Sequence, residues 1–298
     1  LARDCDVGQA KAYKSITAMV ADPNIDALWL CGPNQARIEN VEEIVHAIKS
    51  GKGTLKGIAC EKPLARNVAE AEEVQRLVKS VGLKTGYLEN QLFAPHVEAG
   101  KKLIWARGAA TTGRPYLARA AEEHSGPHAP WFWNGALQGG GVLNDMMCHS
   151  ALVVRHLLTE PGKPLSSVKP VRITGHIASL KWSRPSWNSL DSGLNLFFSR
   201  EVTGRAGEDL VEKQNAEQGV MPVVPEEYAA YGYTNEDRHF VRVFQGKEKA
   251  MLDFADGVEV VKMLMTAYRS AEQGKTLAYP NRGIDRYMPK VAKGTWRP

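Results

Sequence analysis

The densest chemistry in the chain lies in Gly139-Gly140-Gly141-Val142-Leu143-Asn144-Asp145-Met146-Met147-Cys148-His149. Three glycines at the start of a helix let a backbone or a ligand approach closely. Asp145 and His149 are four residues apart, which puts both side chains on one helix face. A carboxylate beside an imidazole orients the ring and raises its basicity, the arrangement of a general base. The same spacing also serves a metal pair, a surface ion pair or a core histidine bonded to its helix neighbour. A second cluster is Cys60-Glu61-Lys62-Pro63-Leu64, where a short apolar run ends. In an open α/β sheet, ligands bind outside the carboxyl ends of the strands, so a lysine there can reach a substrate. Its bond to Pro63 is of the type that can be cis. The plainer alternative is a solvated Glu–Lys pair before a helix. The third is the loop His124-Ser125-Gly126-Pro127-His128-Ala129-Pro130-Trp131-Phe132-Trp133. Trp131 and Trp133 could stack on the apolar face of a sugar, and His124 and His128 could bond hydroxyls. Packing against its own domain is the competing use of such a run. No fourth ligand joins His124, His128 and His149, so no metal is expected.

These residues need elements to hold them. Ile25–Cys31 is an apolar run stopped by Gly32-Pro33, a buried strand. Ile38, Val41, Ile44, Val45 and Ile48 recur at helical spacing, and Gly51 and Gly53 end that helix. Gly57–Cys60 is a second strand. Asn67 with Glu70 three residues on resembles a capping box for a helix facing inward through Val68, Ala71, Val74, Leu77, Val78 and Val81. Lys84–Leu88 is a third strand. Strands alternating with helices through short connections imply a parallel sheet with right-handed crossovers. Further on, Tyr116–Ala121, Val171–Trp182 and Leu194–Ser199 read as strands. Leu143, Met146, Met147, Val153, His156 and Leu157 mark a helix. Thr203–Tyr233 turns polar and reads as a long loop. Asp256 opens the last helix, with Glu259 at its third position and Gly274 closing it.

Composition bounds the function. The 298 residues carry 38 Lys+Arg against 33 Asp+Glu, and 43% are apolar, enough for a sizeable core. The positive charges are scattered, without the basic stripe of a nucleic-acid binder. No apolar run approaches the ~20 residues needed to span a bilayer. Cys5, Cys31, Cys60 and Cys148 form no C-x-x-C pair, which argues for reduced thiols in the cytoplasm. The first residues resemble a helix entered midway rather than a signal peptide.

Taken together, Pro33-Asn34 followed by a helix, Glu61-Lys62-Pro63-Leu64-Ala65, the strand running into Asn90 and Pro95, and Gly-Gly-Gly-x-Leu-x-Asp-x-x-x-His resemble the Gfo/Idh/MocA oxidoreductases from about Ala21 to Ala278. The resemblance implies an α/β chain: a Rossmann-type parallel-sheet domain over residues 1–95, and an α+β substrate and oligomerisation domain with a large open, mainly antiparallel sheet over 96–298. The last helix could pack back on the first domain. It implies NAD or NADP as cofactor, a sugar-like substrate and a homo-oligomer. The family's catalytic residues carry over to Lys62, Asp145 and His149. Its cofactor contacts carry over to Pro33, Asn34, Glu61 and Lys62. His124, His128, Trp131, Trp133 and Asn90 are the expected substrate contacts, in the manner of members acting on glycosides.

The chain departs from the family at Arg37, where many members have His, at Met147 in place of Gly, and at Leu92-Phe93 in place of Arg-Phe. These bear on the substrate more than on the reaction. The family's opening strand, glycine-rich turn and helix have no counterpart, and Gly51-Lys52-Gly53 follows a helix rather than a strand. A second discontinuity is expected within Ser183–Asn188, because early and late strands of the family's sheet are separated by too few residues. The implied reaction is hydride transfer. In it, His149 takes a hydroxyl proton, Lys62 bonds the developing alkoxide, and Asp145 orients His149 and binds a neighbouring hydroxyl. Transient oxidation that cleaves a glycosidic bond, and non-catalytic sugar binding on a truncated fold, are the competing readings.

Overall fold

The structure, a computed structural model, describes residues 10–122, 129–178, 227–296 and 298. Alternating burial builds its first sheet. Strand β1 (Ala27–Leu30) buries Leu28 and Leu30, β2 (Gly57–Glu61) is buried except at Glu61, and β3 (Lys84–Leu88) buries its last three residues. The three run parallel in the order β1-β2-β3, with Leu28 beside Ile58 and Ala59 beside Gly86. Helices α1 (Ala36–Lys49) and α2 (Val68–Lys79) make the crossovers. Val41, Ile44, Ile58, Val74 and Val78 are sealed between them and the sheet. Each such side chain contributes roughly 1.5–3 kcal/mol by leaving water.

Asn67 caps α2, its side chain accepting from the Glu70 amide at 3.0 Å. The reciprocal half of the expected capping box is not made. The Glu70 carboxylate instead accepts from the Arg66 amide at 3.2 Å and from its guanidinium at 2.6 and 3.1 Å. A charged fork outcompetes one backbone N–H for the same carboxylate.

Both faces of this sheet are closed by helices from the far end of the chain. Helix α5 (Tyr233–Phe244) lays Phe240 and Phe244 where side chains at Gly86 and Gly57 would stand: a Cβ there would meet those rings at 2.5 and 2.2 Å. Helix α6 (Phe254–Gln273) lies on the opposite face, since neighbouring strand residues point to opposite sides and Tyr87 meets Gly257 of α6. The N-cap of α6 is Asp253, three residues before the expected start. The Asp253 carboxylate accepts from the Ala255 and Asp256 amides, and the Asp256 carboxylate accepts from the Asp253 amide. Gly274 closes the helix at φ 61°, as its position required.

Other expectations change. Helix α5, preceded by a turn of helix at Glu227–Ala230, stands where the polar stretch read as a loop reaches Tyr233. Pro95–Leu103 forms helix α3, extended by a π-helical turn at Ile104–Gly108, which the sequence did not reveal. Tyr116–Ala121 has no regular structure. Tyr116 and Leu117 are exposed and pair with no strand among the described residues. Of the expected strand Val171–Trp182, residues 171–178 are described, and among them only Arg172–Ile173 (β4) is strand, paired antiparallel with Leu277–Ala278 (β5). The strand at Leu194–Ser199 and the discontinuity at Ser183–Asn188 lie outside the described residues.

Candidate active site

The carboxyl ends of the three strands deliver the chemistry. β1 runs out into Gly32, Pro33 and Asn34, β2 into Glu61 and Lys62, and β3 into Glu89 and Asn90. The segment Asn134–Gly141 lies across this rim. The Arg66 guanidinium donates to the Ala136 carbonyl at 2.6 Å, the Gln35 amide to Leu137 at 3.2 Å, and the Asn34 side chain to Gln138 at 2.8 Å. Gly139 is needed here. Its φ is +90°, and a Cβ would meet the Arg66 backbone at 2.7 Å. The glycines lead into a π-helical turn, Leu143–Met147, continued by helix α4 (Cys148–Leu158). From helix α6, the Tyr268 hydroxyl accepts from the Gly141 amide at 2.7 Å and the Asn144 amide at 3.3 Å, serving donors that a helix start leaves unpaired.

That helix start brings Asp145 to Lys62. The ammonium donates to the Asp145 carbonyl at 2.8 Å and to Oδ1 at 3.0 Å, with both side chains largely buried. Burial alone would lower the lysine, but Cys148, Asp145 and Glu89 outweigh it and push it well above its ordinary value. Lys62 is therefore a permanent cation, with one N–H remaining for a substrate oxygen. Its bond to Pro63 is cis.

His149 is buried one helical turn beyond Asp145. Its ring partner is not the one expected. Nδ1 is hydrogen-bonded to Oε1 of Glu89, whose side chain is fully buried. Asp145 serves Lys62 and Glu89 serves His149, so the acid that orients the imidazole is Glu89 rather than Asp145. Glu89 itself accepts nothing on Oε2, and its backbone N–H donates to Glu236 of helix α5.

Pro33 and Asn34 stand at the end of β1 as expected, and Asn34 is buried with its Oδ1 lacking a partner. Glu61 accepts from the Lys62 amide at 3.1 Å, and burial pushes its carboxyl up against the pull of Arg37 and Lys62. Buried Arg37 donates to the Lys62 carbonyl at 3.0 Å. Asn90, expected at the substrate, is buried with its amide donating to the Tyr231 carbonyl at 2.8 Å. Trp131 stacks on Phe132 at 3.8 Å between centroids, while Trp133 is exposed. His124 and His128 lie outside the described residues.

Glu236 was not legible as part of this cluster. Burial, followed by the charges of Glu61 and Glu89, pushes its carboxyl up to about 9. An acid whose pKa is raised on folding stabilises most below its unfolded value and loses that contribution as pH rises toward the folded one. Stability should therefore fall between about pH 4.5 and 9, at up to ~1.4 kcal/mol per pH unit. Glu236→Gln removes the slope. Denaturation at several pH values should show the variant gaining on the parent as pH rises, and parallel curves would refute the assignment.

Residues 2–87 match the family model GFO_IDH_MocA, described as an oxidoreductase family with an NAD-binding Rossmann fold. This part of the chain is similar to the Gfo/Idh/MocA family. The Gfo/Idh/MocA match covers the parallel sheet and both of its crossover helices. Among curated proteins, the chain is 30% identical over 155 residues to 1,5-anhydro-D-fructose reductase of Ensifer adhaerens, covering 51% of this chain and 44% of that one. It is 30% identical over 156 residues to myo-inositol 2-dehydrogenase of Thermotoga maritima, covering 52% and 42%. The chain thus spans about half the length of the curated relatives it matches. The fold extends further. The crystal structure of GenD2 from gentamicin A biosynthesis, in complex with NAD, superposes with a TM-score of 0.67 at 19% identity, over 93% of this chain and 84% of that one. Among the described residues no helix is long and apolar enough to cross a membrane.

The rim fits a Gfo/Idh/MocA dinucleotide in two respects. Gly32 opens onto free space, with nothing within 4 Å of where a Cβ would stand. Asn34 Oδ1 is a buried acceptor lacking a donor, which a hydroxyl or carboxamide would supply.

Proposed function

We propose that the protein is an NAD(P)-dependent dehydrogenase that oxidises a hydroxyl-bearing carbon of a sugar, glycoside or cyclitol. The observation that carries this reading is the convergence of two carboxylate-paired side chains, the Lys62 ammonium on Asp145 and the His149 imidazole on Glu89, on the carboxyl rim of a Rossmann-type sheet. Residues 1–95 form the dinucleotide-binding part and 96–298 the part that presents the substrate. Pro33, Asn34, Glu61 and Lys62 line the cofactor side, and the nicotinamide, when bound, supplies the hydride acceptor.

The chain's own residues do the rest. Glu89 holds Nδ1–H of His149, which leaves Nε2 with its lone pair toward the substrate hydroxyl. His149 takes the hydroxyl proton there. Negative charge gathers on that oxygen, and the remaining N–H of Lys62 meets it. A fixed ammonium in a site shielded from water stabilises such charge without reorganising. Asp145 keeps Lys62 in place and accepts from a neighbouring hydroxyl. Trp133, in the turn leading into the rim segment, stacks on the sugar.

The test is direct. Purified protein is incubated with NAD or NADP and a panel of cyclitols, aldoses and alkyl glycosides, and nicotinamide absorbance is followed. Net reduction with at least one polyol supports the proposal. Sugar release without net reduction would instead mean cleavage by transient oxidation, and no reaction with either nucleotide would overturn both.

A further inference from the structure

We propose that Glu89, Cys148 and His149 form a capture site for one thiophilic divalent cation of the zinc or cadmium class. A carboxylate oxygen, Sγ and a ring nitrogen of these residues all lie within 4.8 Å of one another. All three side chains are buried, Glu89 and Cys148 completely. Oxygen, sulfur and nitrogen donors in threes are the composition zinc accepts while keeping a fourth position open. The second carboxylate oxygen, Glu89 Oε2, is buried without any partner, so the site already holds an unused acceptor. Cys148 Sγ donates to the Asp145 carbonyl at 3.1 Å, a weak bond that a metal replaces at little cost.

The charges also balance. In the metal-bound form, the Cys148 thiolate, Glu89 and Asp145 face the Lys62 ammonium and the dication, and positive and negative charges cancel. Binding sends the thiol proton of Cys148 to solvent. The carboxylate and the neutral imidazole bind through lone pairs, and nothing is oxidised or reduced. The donors come from two rigid places, the end of β3 and the first turn of α4, so little chain must be ordered to bind.

Such an ion would occupy His149 and draw Glu89 away from it. Reversible inhibition by zinc follows, and this consequence alone rests on the catalytic reading above. Binding itself does not, so it is measured without substrate or nucleotide.

The probe is cobalt. One equivalent of Co²⁺ added to the purified protein is expected to give a thiolate-to-metal band in the near ultraviolet with visible bands of a four-coordinate ion. Zinc should abolish both. Cys148→Ser should remove the near-ultraviolet band, whereas Cys31→Ser, at an exposed thiol, should keep it. Zinc should lower turnover at least ~10-fold, restored by chelator, and Cys148→Ser should lose this sensitivity, its rate with zinc staying within about a factor of two of its own zinc-free rate. Should the buried serine disturb folding, cadmium NMR of the parent protein reports sulfur ligation without any variant. No near-ultraviolet band at one equivalent, a band that survives Cys148→Ser, or a cadmium shift without sulfur would each overturn the site. A correct spectrum in a protein with no dehydrogenase activity would overturn only the function proposed above.

Discussion

Replacing His149 by alanine is expected to lower kcat by about 10²–10⁴-fold, the usual scale for a general base, with the Kd for the nucleotide unchanged. The argument is positional. His149 stands on the first turn of α4, outside the set of residues assigned to the cofactor, and its Nδ1 is already committed to Glu89. Only Nε2 is left for the substrate, so alanine removes the proton acceptor and little else. Glu89→Gln should act in the same direction through the ring, because a neutral amide no longer stabilises the imidazolium that forms during turnover. The check is single-turnover kinetics with nucleotide binding measured separately by fluorescence. A His149→Ala enzyme within a factor of a few of the parent would remove His149 from the mechanism.

Lys62→Met is expected to cost about 10²–10³-fold in kcat/KM, the scale set by losing one preorganised donor to a developing oxyanion. Methionine keeps the length and apolar stem of the lysine. What disappears is the cation and its two bonds to Asp145, at 2.8 and 3.0 Å. Asp145 then becomes a partly buried carboxylate without its ammonium. Some stability will therefore be lost as well, and denaturation of the same sample separates the two effects. Lys62→Arg should recover stability better than activity, since a planar fork cannot aim one N–H at a point that an ammonium reaches. Full activity in Lys62→Met would show that the strand-end lysine is only a structural partner of Asp145.

The legibility of this molecule followed distance along the chain. The parallel sheet could be read because each element announced itself locally: Gly32-Pro33 stopped β1, Asn67 capped α2, and Val68, Ala71, Val74 and Val78 marked its inner face. Lys62 and Asp145 could be singled out by residue type and spacing, although nothing in the sequence said that they touch across 83 positions. Glu89 was missed for the same reason. It follows a strand, where a polar residue reads as the start of a loop, and only the fold reveals the histidine 60 residues later. The role of Tyr268 could not be read either, because a hydroxyl that serves another helix's amides leaves no trace in hydrophobic spacing. Helix α5 did carry a signal, with Phe240, Val243 and Phe244 at helical intervals. It was obscured by the polar stretch before Tyr233.

The closure of the sheet by α5 and α6 has a consequence for biosynthesis. A ribosome delivers Lys62, Glu89, Asp145 and His149 in order, and the helices α5 and α6 that close the two sheet faces emerge only after all four. Until then Ile58 and Tyr87, both fully shielded in the finished protein, have only part of their covering. The glycine turn that presents Asp145 also lacks its anchor until Tyr268 leaves the exit tunnel. The nascent chain must therefore carry an incomplete, adhesive sheet while the residues between β3 and α6 are made, a state in which a chaperone that holds apolar surface has its opportunity to act.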